Sequence, residues 1–196
     1  MEGQEGGQYN DPDRVKERIH WTTLALRLPR ERIDTVFQTE DSCRERLRAV
    51  RWPNGVTCTT CGSQEVSDLA GRRFFRCRSC RTQFSVTSGT ALHRTRVPIK
   101  DWFIATDAVI RAHAQAHCRY HIPGRKLAQE LRLSYRGAVR LKDIIVADTA
   151  ASGPGLLSES ICVDVFSHPL EIETHSPSHE LWLQTRWMDK RLGRGE

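Results

Sequence analysis

The chain has few aromatic residues and no long apolar run. Of its 196 residues, 38% are hydrophobic and only 7% are aromatic. No stretch approaches the roughly 18 apolar residues that a membrane-spanning helix requires. The N-terminal "MEGQEGGQYNDPDRVKER" is polar and acidic, which excludes a cleavable secretory signal there. Thin hydrophobic content points to a soluble protein made of several small modules, not one large globule. Lysine is scarce too: 5 of the 30 basic residues are Lys and 25 are Arg. Arginine's planar fork suits phosphate and guanine, although a GC-rich coding genome produces the same bias. Cysteine, by contrast, is present seven times. An odd number without an export signal argues for a reducing cytosol.

Charge is unevenly distributed. Residues 1–50 carry 9 Lys/Arg against 10 Asp/Glu, and residues 151–196 carry 4 against 7. Residues 51–150 carry 17 against 7, a local charge of +10 within a chain whose net charge is +6. A positive field confined to the middle hundred residues is expected where a chain meets a polyanion, and a solvated basic surface is the plainer alternative.

The first residues, rich in Gly, Gln and Asp, read as disordered. "WTTLALRLPRERIDTVFQ" is interrupted by Pro29, with a short helix on either side. "TEDSCRERLRAVRW" reads as a helix: Thr39 caps it, Glu40 and Asp41 lie in its first turn, and arginines gather toward its end. Cys43, Leu47 and Val50 recur at helical spacing, so Cys43 reads as a small core residue. Trp52-Pro53-Asn54-Gly55 breaks this helix. "RRFFRC" and "QFSVT" read as short strands. "VPIKDWFIATDAVIRAHA" restores helical period, with Ile99, Trp102, Phe103, Val109 and Ile110 on one side. "ASGPG" reads as a linker, "ESICVDVFSHPLEIETHS" as strand-like, and "ELWLQTRWMDKRL" as a terminal amphipathic helix.

The strongest motif is Cys58-x-x-Cys61 followed, after 15 residues, by Cys77-x-x-Cys80. Two residues between thiolates let one tight turn aim both sulfurs at a single ion, and Gly62 lets the chain leave that turn at positive φ. A mirrored second pair completes a closed tetrahedral site, and soft thiolates favour Zn²⁺. The rival readings are a redox dithiol and a disulfide pair; duplication at this spacing favours one structural zinc ion. A second, weaker candidate is His113, His117 and His121 at i, i+4 and i+8 with Cys118 alongside, where solvated or capping histidines are the commoner explanation.

"GRKLAQELRLSYRGAVRLK" has the spacing of a helix-turn-helix. Leu127, Ala128 and Leu131 face inward from the first helix and Leu133 plugs the turn. Ser134 caps the second helix, whose Ala138, Leu141 and Ile145 face the core. Tyr135, Arg136, Val139, Arg140 and Lys142 face outward. Arginines early in such a helix reach guanine O6 and N7, Ser134 and Tyr135 suit phosphate or base contacts, and Lys142 suits the backbone. Arg132 stands where such turns usually have Gly. The alternative is a plain helical hairpin with a charged outer face.

"RWPNGVTCTTCGS", "RFFRCRSCRTQFSVTSGT", "HRTRVPIKDWF" and the helix pair after them resemble the N-terminal half of insertion-sequence transposases of the transposase zinc-ribbon type, over about residues 36–148. The resemblance implies specific binding to the element's terminal repeats, then strand transfer in a ribonuclease-H-like domain whose carboxylates hold two divalent metals. That domain usually opens with Val-Asp-Glu. Here "ICVDVFSHP" puts Asp164 at the matching point and Val165 where the Glu belongs, with 32 residues following Asp164. Asp164 reads as a relic or a strand-end aspartate, with no complete catalytic carboxylate set. "AQAHCRYHIPG", between the long helix and the helix pair, is longer than the family usually has, and the acidic N-terminal extension has no counterpart there.

The expected fold is thus α+β and built of small modules. These are a disordered tail over 1–20, a helical segment over 21–55, a zinc ribbon over 56–90, a helix-turn-helix domain over 97–148, and a linker with a short mixed tail over 151–196. The expected function is sequence-specific binding of double-stranded DNA by a transposase-derived, non-enzymatic regulator. The expected contacts are Ser134, Tyr135, Arg136, Arg140 and Lys142, joined by Arg72 and Arg73 of the ribbon. The alternatives are an adaptor for transcription machinery and a truncated transposase that binds element ends. A homodimer or protein partner through the C-terminal tail is the further expected contact. The expected location is the bacterial cytoplasm, at the nucleoid.

Overall fold

The computed structural model describes residues 11–69, 73–115 and 124–194. Helix α1 (Pro12–Arg27) is followed by a single turn, α2 (Ile33–Val36), and by α3 (Glu40–Arg51). A three-stranded antiparallel sheet comes next: β1 (Val66–Leu69), β2 (Phe74–Cys77) and β3 (Gln83–Phe84), in the order β1-β2-β3. Among the described residues five helices follow: α4 (Ile99–Ala114), α5 (Gly124–Glu130), α6 (Tyr135–Thr149), α7 (Leu156–Ile161) and α8 (Pro177–Arg191). The molecule is therefore mixed helix and small sheet.

α3 forms as its sequence dictates. Thr39 and Ser42 make a reciprocal capping box, with Ser42 N–H donating to Thr39 Oγ1 at 3.0 Å. Cys43 and Leu47 are fully buried, and burial in apolar surroundings pushes the Cys43 thiol up to about 11. α4 buries Ile99, Trp102, Phe103, Val109 and Ile110 on one side, the stripe its 3.6 periodicity requires.

Three expectations are corrected. Of the tail expected to be disordered up to residue 20, residues 1–10 lie outside the described residues and the rest is helical from Pro12. Asp11 caps it by accepting Asp13 N–H at 3.1 Å, Pro12 occupies the first turn, and Arg18 pairs with Glu180 of α8. A terminal helix is ordered when another element covers its apolar stripe, and here α8 covers α1.

The strand-like run after residue 160 contains no strand among the described residues. Ile161 ends α7, and Asp164 N–H donates to the carbonyl of Arg27 at 2.9 Å instead of entering a sheet.

The modules, finally, are not separate. One cluster of buried side chains runs from Ile19 and Trp21 through Leu47, Phe103, Ile110, Leu127, Leu141 and Leu157 to Leu183 and Trp187. The helix pair α5–α6 and the C-terminal residues thus share a core with α1. The expected linker at 151–155 is a tight turn with no room for a side chain: a Cβ on Gly153 would lie 2.3 Å from the carbonyl oxygen of Ala147.

The ribbon has its own smaller core of Cys58, Phe75, Cys77 and Phe84. Trp52 joins the two cores, packing edge-on against Phe75 and Phe84 at 5.6 and 6.0 Å between ring centroids. Among the described residues, no helix is long and apolar enough to cross a membrane.

Candidate metal centre and nucleic-acid interface

Cys58 and Cys61 lie on the turn before β1, while Cys77 ends β2 and Cys80 lies on the turn to β3. All four Sγ atoms fall within 4.8 Å of one another, with Cys58–Cys80 at 3.5 Å and Cys61–Cys77 at 3.6 Å. A tetrahedral Zn–S₄ centre with bonds of about 2.3 Å sets its sulfurs about 3.8 Å apart, so the quartet fits one ion. Backbone N–H groups support the sulfurs, with Thr60 N–H directed at Cys58 at 3.4 Å and Cys80 N–H at Cys77 at 3.5 Å. The two turns mirror each other in backbone as well: Gly62 has φ 72° and Arg81 has φ 61°.

The electrostatics fit metal binding. The Thr82 hydroxyl, 3.3 Å from the sulfur, is the main cause that draws Cys80 down to about 6. The Cys80 N–H likewise draws Cys77 down. Cys61 moves up to about 12: the Ser63 N–H favours its thiolate, but hydrogen bonds with Cys80, Cys77 and Cys58, together with desolvation, outweigh that pull. Four sulfurs in one small space share protons until a cation neutralises them. Soft thiolate donors with no open position make this a structural Zn²⁺ site that anchors the fold and does not act as a Lewis acid.

α3 holds the ribbon in place. Arg51 Nη1 and Nη2 donate to the carbonyls of Val86 and Ser88 at 2.7 and 2.6 Å, and the Arg48 guanidinium lies 5.1 Å over the Phe75 ring. Arg51 looks like surface charge in the sequence, and only its reach to a chain segment 35 residues away reveals its role.

Elsewhere α5 and α6 are joined by a tight turn. Arg132 takes φ 53°, the left-handed conformation that favours Gly there, and Leu133 N–H returns to the carbonyl of Ala128 at 2.9 Å. The Ser134 hydroxyl caps α6 by accepting Gly137 N–H at 3.2 Å. Leu127, Ala128, Leu131, Ala138, Leu141 and Ile145 are buried. Tyr135, Arg136 and Arg140 are exposed, and Lys142 is half-buried. Arg136 and Arg140 have no ion-pair partner among the described residues, so their charge faces solvent.

The other expected site residues are placed differently. Arg73 is paired with Asp41 at 3.2 Å, and Arg72 lies outside the described residues. His113 stacks on Trp21 at 4.2 Å between ring centroids; His117, Cys118 and His121 lie outside the described residues. Asp164 accepts Lys190 Nζ at 2.9 Å, and the same ammonium donates to the carbonyls of Leu26 and Leu28. The pair borders a solvent-open cleft of about 600 Å³ that also contains Arg30, Arg186 and Arg194. That cleft is not lined by any of the four cysteines.

Against this geometry, residues 38–83 match the transposase zinc-ribbon domain. The match takes in α3 and all four cysteines, and it makes this part of the chain a transposase-type zinc ribbon. The chain is also similar to an uncharacterized protein in the transposable element ISH50 of Halobacterium salinarum. The two are 28% identical over 107 residues, covering 53% of this chain and 34% of that protein. The chain thus spans about a third of the length of this relative. No solved structure matches.

Proposed function

We propose that the protein binds double-stranded DNA site-specifically, inserting α6 into the major groove while the zinc ribbon braces the α3–α4 frame beside it. The observation that carries this reading is the solvent-facing pair Arg136 and Arg140, one turn apart on a helix capped by Ser134 and backed by fully buried Ala138 and Ile145. Such arginines donate bidentately to guanine O6 and N7. The local charge of +10 over residues 51–150 supplies the attraction to phosphate.

On this reading the protein derives from a transposase and acts as a regulator of transcription or of an element's ends, at the nucleoid in the cytoplasm. Strand-transfer chemistry is not part of it: Lys190 engages the Asp164 carboxylate that resembles the first catalytic aspartate. Selection from a random duplex pool tests the reading. A consensus site is expected, with affinity falling steeply as salt rises in proportion to the phosphates neutralised; failure to enrich any sequence would overturn it.

A specific observation favours a protein partner as a second reading. Leu181, Met188 and Leu192 form an exposed apolar stripe along α8, and a stripe of that kind is commonly an interaction surface. A hydrophobic interface would respond far less to salt than a DNA complex does.

A further inference from the structure

The ribbon sheet has two unlike faces. The register pairs Asp68 with Phe75 and Phe75 with Phe84 on the inner face, which covers the ribbon core. On the outer face Ser67 lies opposite Arg76, Arg76 opposite Gln83, and Leu69 opposite Phe74. Phe74 is 46% exposed, with half-buried Leu69 as its cross-strand neighbour, so much of its ring faces solvent. Arg76 beside it is exposed, and the Arg78 guanidinium is steadied by the Ser67 hydroxyl at 2.9 Å. Asp68, the acidic residue of these strands, belongs to the inner face and pairs with Arg48 at 3.4 Å. Between residues 56 and 97 the chain carries seven Arg against Glu65 and Asp68.

We infer that this outer face, built from Phe74, Arg76, Arg78 and Gln83, is a second DNA site that takes unpaired nucleotides, a base stacking on Phe74 and its phosphates meeting Arg76 and Arg78. An open aromatic face flanked by cations is the arrangement that binds single strands, because unpaired bases present a π-face that a closed duplex stack does not. The inference rests on the reading of the chain as DNA-binding, but not on α6. It assigns the two surfaces different tasks: α6 reads duplex sequence, and the ribbon holds a frayed or single-stranded flank.

The test uses the full-length, zinc-loaded chain with two labelled probes, an oligothymidine of about ten nucleotides and a blunt duplex carrying the selected site. Stacking contributes about 1–3 kcal/mol per base, so Phe74→Ala is expected to weaken oligothymidine binding by about tenfold. Its affinity for the blunt duplex and its zinc content are expected to stay at wild-type values. Phe74→Trp is expected to retain or strengthen the oligothymidine complex. The inference is overturned if wild type does not bind oligothymidine, if Phe74→Ala leaves that complex unchanged, or if the substitution weakens both probes equally with zinc retained. Should wild type bind oligothymidine but no duplex, the α6 reading fails and the ribbon face stands.

Discussion

Glu40, in the first turn of α3, accepts the backbone N–H of Ile99, the first residue of α4, at 3.0 Å across 59 positions of sequence. Its second oxygen accepts Lys100 N–H, also at 3.0 Å. α4 follows Pro98 and has no side-chain cap of its own, so Glu40 satisfies two of the N–H groups its first turn leaves open. The ribbon is the excursion between these two helices. At the far end of α3, Arg51 grips the carbonyls by which the chain leaves the sheet. One helix thus fixes both the metal module and the helical core.

Glu40→Ala removes this cap and a negative charge at the positive end of α4. Loss of a capping carboxylate costs about 1 kcal/mol. Urea denaturation should show a lower midpoint at unchanged slope, equivalent to a stability loss of that size, with Glu40→Gln between Glu40→Ala and wild type. An unchanged midpoint for Glu40→Ala would show that the cap contributes nothing.

Cys77→Ser should abolish stoichiometric zinc and unfold the ribbon, because metal binding supplies much of the folding free energy of so small a module. Protons bound by the apo cluster, Cys61 above all, must leave when the ion enters. Zinc affinity should therefore rise with pH, and binding should release protons into weakly buffered solution. Metal analysis and proton-release titration check the two points; full zinc content in the variant would refute the ligand set.

Arg81 holds the left-handed conformation that Gly62 holds in the matching turn. That conformation costs a residue with a Cβ roughly 1–2 kcal/mol, while Gly gives back part of the relief through unfolded-chain entropy. Arg81→Gly should keep or raise the stability of the zinc-loaded ribbon by up to about 1 kcal/mol, and Gly62→Ala should lower it. Thermal melts of the two variants would contradict this account if the order were reversed.

His179, in the first turn of α8, is buried, and its Nδ1 accepts His175 N–H at 3.1 Å. Desolvation first, and then His168 and His175, hold it below the usual histidine value. Because the folded state binds its proton less readily than the unfolded chain, this contribution is fully present above about pH 6.5 and is lost as pH falls. Stability measured between pH 7.5 and 5 should decline, and His179→Gln should flatten the decline. An equal slope in both proteins would remove His179 as its cause.

Parts of this fold are legible in the chain and parts are not, for physical reasons. The cysteine quartet is legible because metal geometry demands its spacing, and α3 because Thr39, Cys43 and Leu47 mark its cap and buried stripe within a dozen residues. The turn at Arg132 is legible from the position where Gly is expected. The first turns of α1, ahead of residue 21, are not, because their order depends on α8 and the Arg18–Glu180 pair, 162 positions apart. β1 carries little strand signal of its own and takes its form from pairing with β2. The outer ribbon face was open to inference from the alternation in "FFRCR", whose buried and exposed residues strictly alternate over Phe74–Cys77. The Glu40 and Arg51 contacts, however, require the fold.

The central claim is that α6 presents the exposed Arg136 and Arg140 to duplex DNA, and the most direct measurement is the affinity of the Arg136→Ala, Arg140→Ala and doubly substituted proteins for the selected site. Each single substitution is expected to cost about 1–3 kcal/mol and to relax specificity at its own base pair. Zinc content and melting temperature should remain unchanged. Wild-type affinity in the double variant, with the fold intact, would contradict the account.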